Sequence, residues 1–168
     1  MPAALEPQDE RWLRRAIALA EDAVARGSRP FGAVVARKNG ALVAEAASVP
    51  PADTRDWTAH SEMQALRLAS AILSWDELAD CTLYASGEPC PMCAAALYWC
   101  NLPRLVFGLS EAGMRALRSR HARAAGIEMS AREVLSRAPR ATEIIGPALE
   151  EAARAAHERF WPTAPAQA

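Results

Sequence analysis

"CTLYASGEPCPMCAAALYWCNLPRLVFGL", residues 81–109, joins two apolar, β-favouring runs through a short alanine-rich segment. "CTLYAS" and "RLVFGL" have the composition of strands. "CPMCAAALYWCN" reads as a helix, with Pro91 at the first-turn position that proline tolerates. A strand–helix–strand unit needs a crossover, and a crossover pairs its two strands in parallel. The rest of the chain must therefore extend a sheet with a parallel centre.

Upstream, Trp12, Ala16, Leu19, Ala20, Ala23 and Val24 recur near helical spacing within residues 8–26, and Gly27 follows as a C-terminal cap. "GAVVAR" (32–37) and "ALVAEAA" (41–47) flank Asn39-Gly40, a strong signal for a tight hairpin. "VPPADTRDW" is a loop by its prolines, and "TAHSEMQALRLASAIL" (58–73) regains helical periodicity with His60 and Glu62 in its first turn. Residues 111–138 are helical or irregular and rich in arginine. "ATEIIG" (141–146) is one more strand, and "PALEEAARAAHERFW" (147–161) a closing helix with Pro147 near its start. The pattern predicts a single α/β domain over 1–168: three layers, α/β/α, a five-stranded mixed sheet with helices on both faces, and a frayed tail at 162–168.

About half the 168 residues are apolar and a quarter charged, the balance of an ordinary globular protein. Net charge is −1, from 19 basic and 20 acidic residues, so no global field draws in nucleic acid. No stretch has the make-up of a signal peptide or a membrane span, which points to a cytoplasmic protein with no membrane partner. Cys81, Cys90, Cys93 and Cys100 lie within twenty positions, and in a reducing compartment such clustering favours metal over disulfides.

A hydrolytic zinc site needs three protein ligands, an open fourth position for water, and an acid or base beside it. Cys90 and Cys93 supply two ligands. His60 is the best third, because it opens a helix behind a proline-rich loop and Glu62 follows two residues later. Positions i and i+2 do not share a helix face, which frees Glu62 to stand beside the water rather than ligate. His121 and His157 read as solvated surface groups, Cys81 and Cys100 as core thiols, and Glu88 as a structural cap or pairing residue.

The order His60-Ser61-Glu62 upstream and Pro89-Cys90-Pro91-Met92-Cys93 downstream resembles the zinc-dependent base deaminases of the cytidine deaminase-like superfamily. "PFGAVVARKNG", "DWTAHSEMQALR", "TLYASGEPCPMCAAALYW" and "RLVFG" extend the resemblance over roughly residues 10–110, in the branch of guanine deaminases and tRNA adenosine deaminases. It implies one Zn2+ per chain on His60, Cys90 and Cys93, with Glu62 as both base and acid. The implied reaction is hydrolytic deamination of a purine-type nucleobase or nucleoside, guanine first, by a homodimer. Wobble-adenosine deamination in tRNA is the alternative, and a non-catalytic zinc-stabilised domain the third reading.

By the same resemblance, Phe31, Ser48, Trp57, Ser86, Glu111 and Trp161 are candidate substrate contacts. Ser48 stands where relatives carry an Asn, "HSE" replaces "HAE" and "DWT" replaces "DPT", so Ser61 and Trp57 alter the rim. Gly87 stands where relatives place a larger side chain, which suggests a wider pocket. Arg115, Arg118, Arg120 and Arg123 form the best basic patch, which a solvated helix face also explains, so nucleic acid is not the favoured partner.

Overall fold

The computed structural model describes residues 5–50, 53, 55–118 and 126–163. In chain order the elements are α1 (Pro7–Ala25), β1 (Gly32–Arg37), β2 (Leu42–Ala47), α2 (Ser61–Ile72), α3 (Trp75–Leu78) and β3 (Cys81–Gly87). There follow α4 (Pro91–Trp99), β4 (Arg104–Leu109), α5 (Glu111–Arg118), α6 (Ala131–Leu135), β5 (Glu143–Ile145) and α7 (Glu150–Phe160). The strands lie in the order β2-β1-β3-β4-β5, with β1 antiparallel to both its neighbours and β3, β4 and β5 parallel.

Strand alternation sorts side chains into two cores. Ala33, Val35, Leu83, Ala85, Leu105 and Phe107 join α2, α4 and α6 on one face. Val34, Ala36, Tyr84 and Val106 join α1, α5 and α7 on the other. Burial on both faces is why the central strands read as continuous apolar runs. Gly32 opens β1 because α1 crosses there: a Cβ on it would lie 2.3 Å from the Ala16 carbonyl oxygen.

The hairpin and crossover have the predicted ends within a residue or so, but three boundaries move. His60 is the N-cap of α2 rather than part of its first turn. The arginine-rich run contains α5 and α6, and residues 119–125, with Arg120, His121 and Arg123, lie outside the described residues. The closing helix starts at Glu150, not near Pro147, because Leu149 at its N-cap adopts left-handed backbone with φ 51°. Two short helices, α3 and α6, carry complete capping boxes, Ser74 with Glu77 and Ser130 with Glu133, a signature legible in "SWDE" and "SARE".

One polar cluster ties the layers together. Asp9, buried in the first turn of α1, accepts from Arg104 Nη1 and Nη2 at 2.6 and 2.8 Å and from the Tyr84 hydroxyl at 3.0 Å. Arg104 Nε also donates to Glu143 of β5 at 2.7 Å. Burial alone would raise the Asp9 pKa, but the bonds from Arg104 and Tyr84 outweigh it and hold the carboxyl below its ordinary value. Burial, with Asp9 beside it, pushes Tyr84 up to about 12. A depressed carboxyl stabilises the fold above its unfolded pKa, and that contribution is lost as pH falls through the folded value. Removing one partner of a buried pair costs about 3 kcal/mol. Arg104→Ala is therefore expected to lose about that much in urea denaturation at pH 7. The gap to wild type should narrow as pH drops below about 4; a gap independent of pH would show that Asp9 is not held ionised by Arg104.

Candidate active site and metal centre

The C-terminal ends of β3 and β4 feed the site. Past β3, the chain reaches Cys90, the N-cap of α4, with extended backbone (φ −63°, ψ 167°) and a side chain that makes no capping bond. His60 caps α2 in the same conformation (φ −62°, ψ 153°), again with no side-chain capping bond. The two helix starts meet, and Cys93, one turn into α4, completes a trio. His60 Nδ1, Cys90 Sγ and Cys93 Sγ are each 3.6 Å from the other two.

That triangle fits a tetrahedral ion. Zinc bonds of ~2.3 Å to sulfur and ~2.0–2.1 Å to nitrogen, at tetrahedral angles, place such ligand atoms roughly 3.5–3.8 Å apart. The donor set also suits zinc, a soft-to-borderline cation served by thiolate and imidazole. The 3.6 Å hydrogen bond between the Cys90 and Cys93 sulfurs lowers Cys90 to about 4, with His60 adding to the effect. Cys93 itself is pushed up, by that same bond to Cys90 and then by burial. A dication among them would displace the remaining proton.

Glu62 is 5% exposed, and its Oε2 accepts from the Ser61 hydroxyl at 2.9 Å. Burial raises its pKa, with the neighbouring Cys90 charge acting in the same direction. A carboxyl held this way takes and returns a proton more readily at neutral pH than an ordinary glutamate. Ser61, expected at the rim, is fully buried and serves instead to orient Glu62.

A cavity of about 250 Å³ opens above these groups. His60, Glu62 and Cys90 line it, together with five of the six candidate contacts: Phe31, Ser48, Trp57, Glu111 and Trp161. Trp57 is 74% exposed and forms the outer edge. Ser86 stands apart from that lining, buried in β3 with its hydroxyl accepting from Gly32 N at 3.0 Å. Gly87 does not widen the cavity: Met114 Sδ lies 2.7 Å from where its Cβ would be, so the missing side chain admits Met114. Ser48, 8% exposed, accepts from the Ser28 hydroxyl at 3.2 Å.

His157 corrects a surface expectation, since it is 1% exposed. Its Nδ1 accepts from the Trp161 indole at 3.1 Å, and its ring meets Phe31 edge-on at 5.2 Å, so it braces two cavity walls. Burial, with the Arg118 charge beside it, lowers His157 to about 3 and keeps it neutral. The i, i+4 pair in "HERFW" carried that signal. Cys81 is in the core as expected, whereas Cys100 is half-buried at the end of α4 with Ser70 Oγ 3.6 Å away. Of the basic patch, Arg115 pairs with Glu128 at 2.9 Å and Arg118 turns inward to pair with Glu111.

Arg29 lines the cavity without having been singled out in the sequence, whereas Arg118, Glu88 and Ser61 were named there for other roles. Glu88 is 8% exposed and accepts from two helix starts, Glu111 N of α5 and Ala131 N of α6, both at 2.9 Å. It thus pins both helices beside the cavity.

Residues 6–109 match the family described as the cytidine and deoxycytidylate deaminase zinc-binding region. The chain belongs to that family. Within it, the chain is 32% identical to a probable cytosine deaminase of Schizosaccharomyces pombe over 158 residues, 94% of each chain. It is 45% identical to a guanine deaminase of Bacillus subtilis over 103 residues, 61% of this chain and 64% of that one. A tRNA-specific adenosine deaminase of Haemophilus influenzae is 38% identical over 112 residues, 67% of this chain and 64% of its own. Among solved structures, one containing 8-azaguanine superposes with a TM-score of 0.78 at 26% identity, over 96% of this chain and 88% of that one. The zinc-dependent deaminase family and its mixed five-stranded fold are therefore those of this chain.

Glu88→Ala leaves two helix starts without their acceptor, a loss of roughly 1–2 kcal/mol in thermal or urea denaturation. Glu88→Gln, which keeps an acceptor oxygen, should recover part of it. Equal stability of all three proteins would show those bonds to be immaterial.

Proposed function

We propose that this deaminase removes the amino group of a purine-type nucleobase or nucleoside by hydrolysis, with guanine the first substrate to test. The observation that carries the proposal is the 3.6 Å triangle of His60 Nδ1, Cys90 Sγ and Cys93 Sγ beside the buried Glu62 carboxyl, at the floor of an aromatic-walled cavity. Relatives named for guanine, cytosine and tRNA adenosine deamination, and a solved relative holding 8-azaguanine, support it.

His60, Cys90 and Cys93 would hold zinc, which when bound supplies a water acidified toward ~7. Glu62 accepts a proton and returns protons to the ring nitrogen and the departing amine, while Ser61 fixes its orientation. Phe31 and Trp161 offer stacking faces and Ser48 a polar edge, while Glu111, the other candidate contact, holds Arg118. In balance, the bond from the ring carbon to its exocyclic amine nitrogen breaks and a C–O bond forms at that carbon, converting amino-heterocycle and water into oxo-heterocycle and ammonia. The tRNA reading has less support, because the described arginines of the basic patch are engaged within the chain.

Glu62→Gln is expected to keep about one zinc per chain by elemental analysis and lose roughly 10²–10⁴-fold in turnover. Cys93→Ser should lose the metal itself. Ammonia release from guanine, guanosine, adenine, cytosine, cytidine and triazines, beside a tRNA anticodon stem-loop, tests the substrate. Release from the stem-loop alone would overturn the nucleobase reading, and so would a Glu62→Gln variant within tenfold of wild type.

The homodimer belongs to the same proposal. Leu68 and Ile72, one turn apart on α2, are 52% and 65% exposed, and Trp75 and Trp99 are 60% and 75% exposed. The Trp75 indole donates to the Trp99 carbonyl at 3.2 Å, which joins the α3 and α4 ends. Apolar exposure of this kind marks an association surface. Light scattering should give twice the chain mass, and Ile72→Asp with Trp99→Asp should halve it; a monomeric wild type would sink the assignment.

A further inference from the structure

We propose that the cavity takes an amino-heterocycle bearing an anionic group, and that Arg29 is the residue that reads the anion. This deepens the deaminase reading and rests on it.

Arg29 sits in the turn between α1 and β1. Ser28 N donates back to Ala23 O at 2.9 Å, and Phe31 N donates to Arg29 O at 2.9 Å, so the backbone beneath the side chain is fixed. The side chain lines the same cavity as Glu62 and Cys90. Every Asp and Glu of the chain lies among the described residues, and none of them pairs with Arg29.

The acids that share the cavity are already occupied. Glu111 holds Arg118, and Glu88 accepts from two helix amides. Asp56 accepts from Thr58 N and Oγ1 at 2.9 and 2.6 Å, and Glu62 from Ser61. Donors, by contrast, are in surplus. Arg118 keeps its Nε buried with no acceptor among the described residues, and Arg29 lines the cavity with no carboxylate paired to it. Burial and then the Arg118 cation hold Arg29 below the ordinary guanidinium value, as two like charges in one pocket require.

A guanidinium fork matches a planar carboxylate through two parallel N–H bonds, and an anion between Arg29 and Arg118 would relieve the repulsion of both. The volume limits what else the ligand carries. At about 250 Å³ the cavity falls just under the ~300–1,000 Å³ of drug-sized pockets, which suits a base-sized ring with a small acidic substituent. The reaction is unchanged by the substituent: water still replaces the ring amine, and ammonia leaves.

The test uses the zinc-loaded full chain and two matched pairs, pterin with pterin-6-carboxylate and cytosine with 5-carboxycytosine. Calorimetric affinity and ammonia release are measured for each. The carboxylated member of at least one pair should bind roughly tenfold or more tightly. Arg29→Gln should abolish that preference and Arg29→Lys retain part of it, with zinc content and melting temperature verifying that each variant is folded. No preference in the wild type, or a preference that survives Arg29→Gln, overturns the proposal. Ammonia release without a carboxylate preference leaves the deaminase reading standing and removes the role of Arg29. A preference in affinity with no ammonia from any ring keeps the anion site and overturns the deaminase reading.

Discussion

The site depends on two helices beginning at one point. An N-cap side chain ordinarily turns back to its own helix, where an Asp, Asn or Ser oxygen is worth about 1 kcal/mol. His60 and Cys90 occupy the caps of α2 and α4 but forgo that bond, and their side chains point at each other instead. The positive end of each helix dipole then favours negative charge at the same place, which suits thiolates. The sheet serves this meeting. The crossover from β3 through α4 to β4 sets Cys90 beyond a strand's C-terminal end, and the β1–β2 hairpin returns the chain so that α2 starts opposite.

The two faces of the sheet divide the work. The face carrying α2 and α4 bears His60, Glu62, Cys90 and Cys93 above a core made largely of alanines and leucines. The opposite face is fastened by Asp9, Arg104 and Tyr84, which join the first helix to the central and edge strands. From that face α7 brings His157 and Trp161 round to the cavity, where a neutral imidazole holds an indole on one side and Phe31 on the other. The cavity is therefore assembled from both layers, and its shape follows the rigidity of each.

Local grammar explains what was legible in the sequence. Asn39-Gly40 marks a hairpin because Gly40 sits at φ 88° while the Asn39 side chain accepts from Ala41 N, a purely local arrangement. "HSE" and "PCPMC" were legible because a metal centre constrains residue type and spacing together. Other roles are written in contacts between distant positions. Glu88 looked structural, but that it joins α5 to α6 depends on Glu111 and Ala131, 23 and 43 residues away. Arg29 has no motif at all, since its importance lies in the partner it lacks. Gly87 misled because the space left by a missing side chain belongs to whatever fills it, here a methionine from α5. His157 misled because charged neighbours along a helix say little about the face that is buried.

Ser48 gives the cavity wall its chemical character. An asparagine at that position would offer a ring edge one acceptor and two donors. Ser48 already accepts the Ser28 hydroxyl proton, which leaves it its own O–H and one lone pair. The hydroxyl thus offers fewer donors than an amide, and the surplus of donors on this side of the molecule comes from Arg29, which follows Ser28 in the chain. Glu111 would be the counterweight, but Arg118 takes it. A pocket whose polar groups are mostly donors selects a ligand rich in acceptors, because a buried donor left unmatched costs about 1–3 kcal/mol. The preference for acceptors therefore rests on Arg29, which no carboxylate pairs with among the described residues, rather than on the hydroxyl.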